Sequence, residues 1–287
     1  MVAHNYPDDC WAWHPYTVAE RAINILDFAA VNGLPGDEQT TRNCLAQHAT
    51  VIADRLEYWG DNNTSNHLAN NGRGLYRIGL ELDLPWAVDL GATILINEAE
   101  RLFSGSGVLR EGSSHYHLLY TQRYIDAWLA AHRHDRSERD ALGEIARKVL
   151  GGVSVFQMPG GIPTIGDISP DSPPEYVSGL FDLRKVGWLA SLEPSDIALI
   201  SDLKATAVPA SPEALLADGW IRQNCGNWSM LGFAAPKGWV PMPGHGHQDM
   251  GSFELHYEDD RVVVDPPGEA GIGGSGKPLH YKGSVFH

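Results

Sequence analysis

Cysteine is scarce: Cys10, Cys44 and Cys225 are the only three in 287 residues, and none forms a CxxC pair. An odd number at wide spacing reads as reduced, ordinary thiols and points to a reducing compartment. Basic residues are also few, with Lys+Arg 21 against Asp+Glu 36, which gives a formal charge of −15. Without a basic field to release counterions, nucleic acid and anionic membrane surfaces are excluded as partners. No run reaches the roughly 18 apolar residues of a spanning helix, so membrane insertion is not expected. The start, MVAHNYPDDCWAWHPY, has neither the charged nor the apolar stretch of a signal peptide. No fixed-length repeat recurs, which favours a curved helical barrel over a solenoid.

What is present describes a globular protein of one large or two ordinary domains, with 43% apolar and 20% charged residues. Apolar residues three and four apart predict helices over 17–31, 38–59, 69–82, 86–103, 116–132, 139–150 and 175–192. Breakers separate them, among them Gly33-Leu-Pro-Gly36, Gly60-Asp-Asn-Asn63 and Ser104-Gly-Ser-Gly107. Successive helices with short polar joints imply antiparallel hairpins packed side by side. A long Gly/Pro-rich segment, 156–174, interrupts the rhythm. Its apolar Ile162 and Ile165 suggest an ordered, functional loop. After Pro212 the pattern turns to short β-branched or aromatic runs at 220–223, 228–233, 252–257 and 261–265. The expected fold class is therefore multidomain α and β: a helical domain over 1–205, then a β domain over 212–287. The closing run, Tyr281–His287, reads as mid-strand, so the chain is expected to be part of a longer one.

Three polar clusters carry candidate chemistry. Asn62–Asn71 opens a helix, where Asn, Ser and Thr serve as caps. Capping accounts for one or two of them, but not for Asn66 and Asn70 sharing a helix face with His67 and Asn71 nearby. Arg73 and Arg77 continue the polar surface. The second cluster is Arg110-Glu-Gly-Ser-Ser-His-Tyr-His117, a Ser cap followed by a Tyr between two His. The third is Pro243-Gly-His-Gly-His-Gln-Asp249, with Asp265 and His287 further on. Two His one residue apart in a strand would face the same side. Imidazole and carboxylate together suit zinc. A cupin-type metal site would want a Glu a few residues on, whereas Glu254 lies seven beyond His247.

In this order the clusters resemble the heparinase II/III-like polysaccharide lyases. The resemblance rests on Asn66-His67, on Glu111-Gly-Ser-Ser-His-Tyr-His117 (the E-x-S-x-x-Y-H run), and on His245-Gly-His247-x-Asp249. Val263-Val-Asp-Pro-Pro-Gly268, Ser284-Val-Phe-His287 and the Ile165-Gly-Asp167 loop extend it. It implies an (α/α) helical toroid followed by an antiparallel β-sandwich, both incomplete here. The implied activity is β-elimination on a uronic-acid-containing glycan such as alginate or a heparan-type chain. Asn66 would polarise the substrate carboxylate with help from His245. His67 and Tyr116 would move the protons, either as base and acid or with Tyr116 as both. Asn70, Asn71, Arg73, Arg110 and His117 would bind substrate. His247, Asp265 and His287 would hold a structural zinc. Members of the family are often periplasmic or secreted. The charge of −15 opposes an anionic glycan only weakly, because screening confines such fields to roughly 8 Å.

Two other readings remain open at this level. A glycoside hydrolase would need paired carboxylates, for which Glu111, Asp167 and Asp249 are available. A glycan-binding protein or inactive fragment would use its nine Trp and ten Tyr for stacking.

Overall fold

In a computed structural model, residues 10–234, 244–246, 251–265 and 268–269 are described. The helical elements are α1 (Pro15–Asn32), α2 (Glu38–Asp54), α3 (His67–Leu82), α4 (Pro85–Leu102), α5 (Ser114–Arg133) and α6 (Arg139–Gly152). They coincide with the first six predicted helices, with α2 ending early at Asp54. After the two-residue strand β1 (Asp167–Ile168) come the short α7 (Pro174–Val177), then α8 (Pro194–Thr206) and α9 (Pro212–Ala217). The single helix predicted over 175–192 is absent. In its place α7 is followed by two 3-10 turns, Ser178–Phe181 and Gly187–Ser191. Leu183 and Gly187 take positive φ there, which a continuous helix does not allow.

Strands β2 (Trp220–Cys225), β3 (Trp228–Phe233), β4 (Ser252–Tyr257) and β5 (Asp260–Val263) form an antiparallel sheet in the order β2-β3-β4-β5. Gly226 and Glu258, both at positive φ, turn the two hairpins. A further strand, β6 (Gly268–Glu269), pairs in parallel with β1. Helices followed by an antiparallel sheet is the class the sequence predicts; residue 212 itself opens α9, and the sheet begins at Trp220.

By contacts in space the chain forms two compact units, Met1–Arg101 with Ala127–Leu142, and Leu102–Asp126 with Gly143–His287. The core of the first packs Val18, Ala22 and Leu26 of α1 with Leu45, Ala49 and Ile52 of α2 and Leu75 and Ile78 of α3. Gly74 lets α3 approach α1, since a Cβ there would stand 2.7 Å from that of Ala19. The core of the second joins Val108, Val155, Phe156 and Ile165 to Trp220, Leu231 and Phe233 of the sheet. Trp220 is its hub, with ring centroids 5.0 Å from Phe156 and 4.7 Å from Phe233. Among the described residues, no helix is long and apolar enough to cross a membrane.

Candidate active site

The first unit holds one polar cluster, built on the start of α3. Asn66 is the N-cap residue, yet its side chain makes no capping bond, and it is buried. His67, one residue on, is more than a third exposed and its Nδ1 lies 2.7 Å from Oε1 of Glu57. Asn71, one turn later on the same face, donates from Nδ2 to Glu57 Oε2 at 3.1 Å and accepts from the Glu57 backbone N–H at 3.1 Å. Tyr16 packs against the His67 ring at 4.5 Å between centroids. His14 Nε2 stands 3.6 Å from the same Glu57 oxygen. Burial pushes the Glu57 carboxyl up, but its bonds to His67 and Asn71 and the nearby His14 outweigh this and hold it below the usual carboxylate range. Glu57 carries no sequence motif. Only its place in the fold marks it.

The second unit holds the other cluster. Ser113 caps α5, its Oγ accepting from the Tyr116 backbone N–H at 3.1 Å, so Tyr116 sits in the first turn. The Ser113 and Ser114 hydroxyls also donate to the 156–174 loop, to Asp167 O at 2.8 Å and to Pro163 O at 2.7 Å. The far side of that loop is held by the sheet. Buried Glu254 accepts from both the backbone N–H and the hydroxyl of Thr164 and from Arg261, while His256 Nδ1 accepts from the Gly160 N–H. Glu254 is thus a loop anchor.

Fixed in this way, the loop presents Asp167 to His245. The Asp167 N–H donates to the His245 carbonyl at 2.6 Å, and its Oδ2 lies 3.5 Å from His245 Nδ1. Glu111 Oε2 lies 3.7 Å from the other ring nitrogen. The His245 imidazole stacks on the Tyr116 phenol, 3.5 Å between centroids and 10° between planes. The glycines of the Gly-His-Gly run answer to this crowding: a Cβ on Gly244 would meet the Glu111 carbonyl at 2.9 Å. His245 lies in a bend, not in the strand expected for it. Of the three carboxylates available to a hydrolase, Glu111 and Asp167 both face this one imidazole, and Asp249 lies outside the described residues.

Residues 207–273 match the family described as Heparinase II/III-like, C-terminal. Over that stretch the heparinase II/III-like resemblance is shown. Among solved structures, a heparan sulfate lyase HepC mutant from Pedobacter heparinus is similar at 19% identity and TM-score 0.58, over 93% of this chain and 43% of that one. Heparinase III is similar at 15% identity and TM-score 0.64, over 93% of this chain and 45% of that one. At these identities the likeness concerns the fold, and the chain spans less than half the length of these structures. No curated protein sequence matches the chain.

Several residues expected at a heparinase II/III-like substrate site serve packing here. His117 is fully buried, its Nδ1 accepting from the Leu109 N–H at 3.2 Å and its ring packed on Phe103 and Phe156, so it does not face a substrate. Arg73 is buried beside Glu20 at 3.7 Å, and Arg77 pairs with Asp27 at 2.7 Å, so their charges are answered within the unit. Arg110 is exposed on the connection leading to α5. Asn71 is engaged by Glu57, whereas Asn70 is fully buried with neither side-chain polar atom hydrogen-bonded. Of the expected zinc ligands only Asp265 is described; it is buried, and its carbonyl accepts from the Thr164 hydroxyl at 3.0 Å. His247 and His287 lie outside the described residues, as does Asp249. Among the described residues no three His, Cys, Asp or Glu side chains are grouped to hold an ion. The His–Asp–His donor chemistry itself suits zinc.

Three buried imidazoles give the protein a pH dependence. Burial, then the charge of Arg21, lowers His48 to about 4; burial, then His245, lowers His115 to about 4; burial lowers His117 to about 3. All three stay neutral when folded and take up protons on unfolding once the pH falls below about 6.5. Stability is then full above about 6.5 and falls as pH drops toward about 4, by up to about 1.4 kcal/mol per unit for each imidazole. Urea midpoints at pH 7 and pH 5 test this, and equal midpoints would contradict it.

Proposed function

We propose that the chain carries the reaction centre of a polysaccharide lyase that cleaves a uronic-acid-containing glycan by β-elimination. The observation that supports it most is the Tyr116–His245 stack, with Glu111 and Asp167 at the two imidazole nitrogens. It joins motifs from two distant parts of the sequence, the ones on which the resemblance rests. The C5 proton of a uronate is weakly acidic because it lies α to a carboxylate. Its removal places further negative charge on that carboxylate, so donors aimed at it do most of the catalytic work. Asn66 and His245 are proposed as these donors, and His67 and Tyr116 as the proton-transfer groups. The substrate is an anionic polysaccharide or oligosaccharide. Arg110 and the His245 imidazole are proposed to meet its charge and hydroxyls, since Arg73 and Arg77 are matched by acids and Asn70 and His117 are fully buried. Zinc bound by His247, Asp265 and His287 would brace the sheet; elemental analysis of the purified protein, with none found, would remove it.

The test is a panel of uronate polymers incubated with the protein. Release of an unsaturated uronate, read by its ultraviolet absorbance and by a product mass lacking one water, is expected from at least one of them. Saturated ends would turn the reading to a hydrolase, and binding without turnover to a glycan-binding protein.

A further inference from the structure

We propose that Glu57 is a positioning residue that fixes the tautomer of His67 and thereby makes His67 the base of the elimination. The inference rests on the lyase reading for its chemical step, but its structural part stands on the first unit alone. At 2.7 Å from Nδ1, an ionised carboxylate oxygen can only accept, so Nδ1 carries the proton. The neutral ring then keeps its lone pair on Nε2. The carboxylate itself is fixed: Oε2 takes the Asn71 amide, whose oxygen takes the Glu57 N–H, leaving Oε1 to the imidazole. Asn71 and His67 lie one turn apart on α3, so a single helix face holds both partners of Glu57.

Two other groups stand beside the dyad. Tyr16 covers His67 through its ring, and His14 approaches Glu57 through Nε2 at 3.6 Å, adding positive charge on the same side of the carboxylate whenever it is protonated. Glu57 is nearly buried while His67 is more than a third exposed, so the dyad has a sequestered acid and an accessible base. This ordering, a buried acid holding one ring nitrogen so that the other can act, is the division of labour in acid–histidine pairs of hydrolases. The C5–H bond breaks and its proton passes to His67 Nε2; the electron pair forms the C4–C5 double bond. The C4–O4 bond breaks, and O4 takes a proton from water. The proton on His67 then passes to the hydroxide so formed, which restores the neutral ring. The imidazolium formed midway has Glu57 as its counter-charge.

Three measurements on the full chain test the assignment. In 15N-labelled protein at neutral pH, the His67 ring is expected to show a protonated Nδ1 and an unprotonated Nε2. Glu57→Leu, which keeps the volume and removes the acceptor, is expected to shift this ring toward the Nε2-protonated form. It should lower kcat by about 10²–10⁴-fold with KM within about threefold, the range for a misdirected general base. Glu57→Gln restores an acceptor without charge, so it should recover the Nδ1-protonated form and part of the kcat. A purely structural Glu57 would instead lower the melting temperature and leave the tautomer of the folded fraction unchanged. An unchanged His67 spectrum in folded Glu57→Leu, or a wild-type kcat, overturns the proposal. If Glu57→Leu does not fold, Glu57→Gln decides: a kcat reduced at least tenfold with KM retained supports the role, and a wild-type kcat overturns it. Absence of lyase activity in the wild type would sink the chemical reading while leaving the tautomer measurement to judge Glu57 separately.

Discussion

Replacing Tyr116 with Phe is expected to lower kcat on the cleaved glycan by about 10²–10⁴-fold, the usual scale for losing one proton-transfer group. The fold should survive the change. The phenyl ring retains the stacking surface for His245, and the helix cap runs from the Ser113 hydroxyl to the Tyr116 backbone, which the substitution leaves alone. Loss of the hydroxyl costs on the order of 1 kcal/mol of hydrogen bonding at most, a few degrees of melting temperature. The expected result is therefore a folded, substrate-binding, nearly inactive protein. Initial rates and a thermal melt on the same preparation decide it. Activity within threefold of wild type would remove Tyr116 from the chemistry.

Gly166→Ala is expected to be as damaging by a different route. Gly166 has φ +81, and a Cβ there would stand 2.7 Å from the carbonyl oxygens of both Gly112 and His245 and 2.8 Å from Ser113 Cα. All three neighbours are backbone, so no side-chain rotation relieves the contact. The left-handed conformation alone costs about 1–2 kcal/mol for a residue with a Cβ. Relief of the clash requires moving the start of α5, which carries Tyr116, or the bend that carries His245. A loss of about 3 kcal/mol or more in urea unfolding is expected, with kcat falling alongside it. Gly161, in the same loop at φ +116, has no atom within 4 Å of its Cβ position. Gly161→Ala should cost the backbone term alone, and equal losses for the two variants would argue against the close-approach explanation.

How far the sequence reached can be judged residue by residue. The first six helices were legible because helical periodicity is local: residues three and four apart meet whatever the rest of the chain does. The 175–192 segment shows the limit, since its apolar spacing is compatible with a helix but positive φ at Leu183 and Gly187 breaks it. Tyr116 and His245 stood out as residue types in motifs, yet nothing local said that their rings would stack. Two His flank Tyr116, and the resemblance assigned His117 to substrate binding. Burial made them neutral packing residues instead, with His115 Nδ1 accepting from the Ser169 N–H and His117 Nδ1 from Leu109.

Glu57 passed unnoticed as a functional candidate, and Glu254 was weighed only as a cupin-type metal ligand and set aside, because an isolated glutamate in a sequence is indistinguishable from a solvated one. Each became informative only through its partners: His67 and Asn71 for the first, and Thr164, ninety residues away, for the second. Scarce cysteine, an acidic balance and the absence of any long apolar run were settled by composition. Local pattern settled the helices followed by strands and exposed the Asn-His, Tyr-His and Gly-His-Gly runs on which the resemblance rests. The tertiary structure alone decided which imidazole has an acid behind it and which is merely buried. The reason is physical: periodicity and capping are set within one or two turns, whereas charge pairing and burial depend on what the folded chain brings alongside.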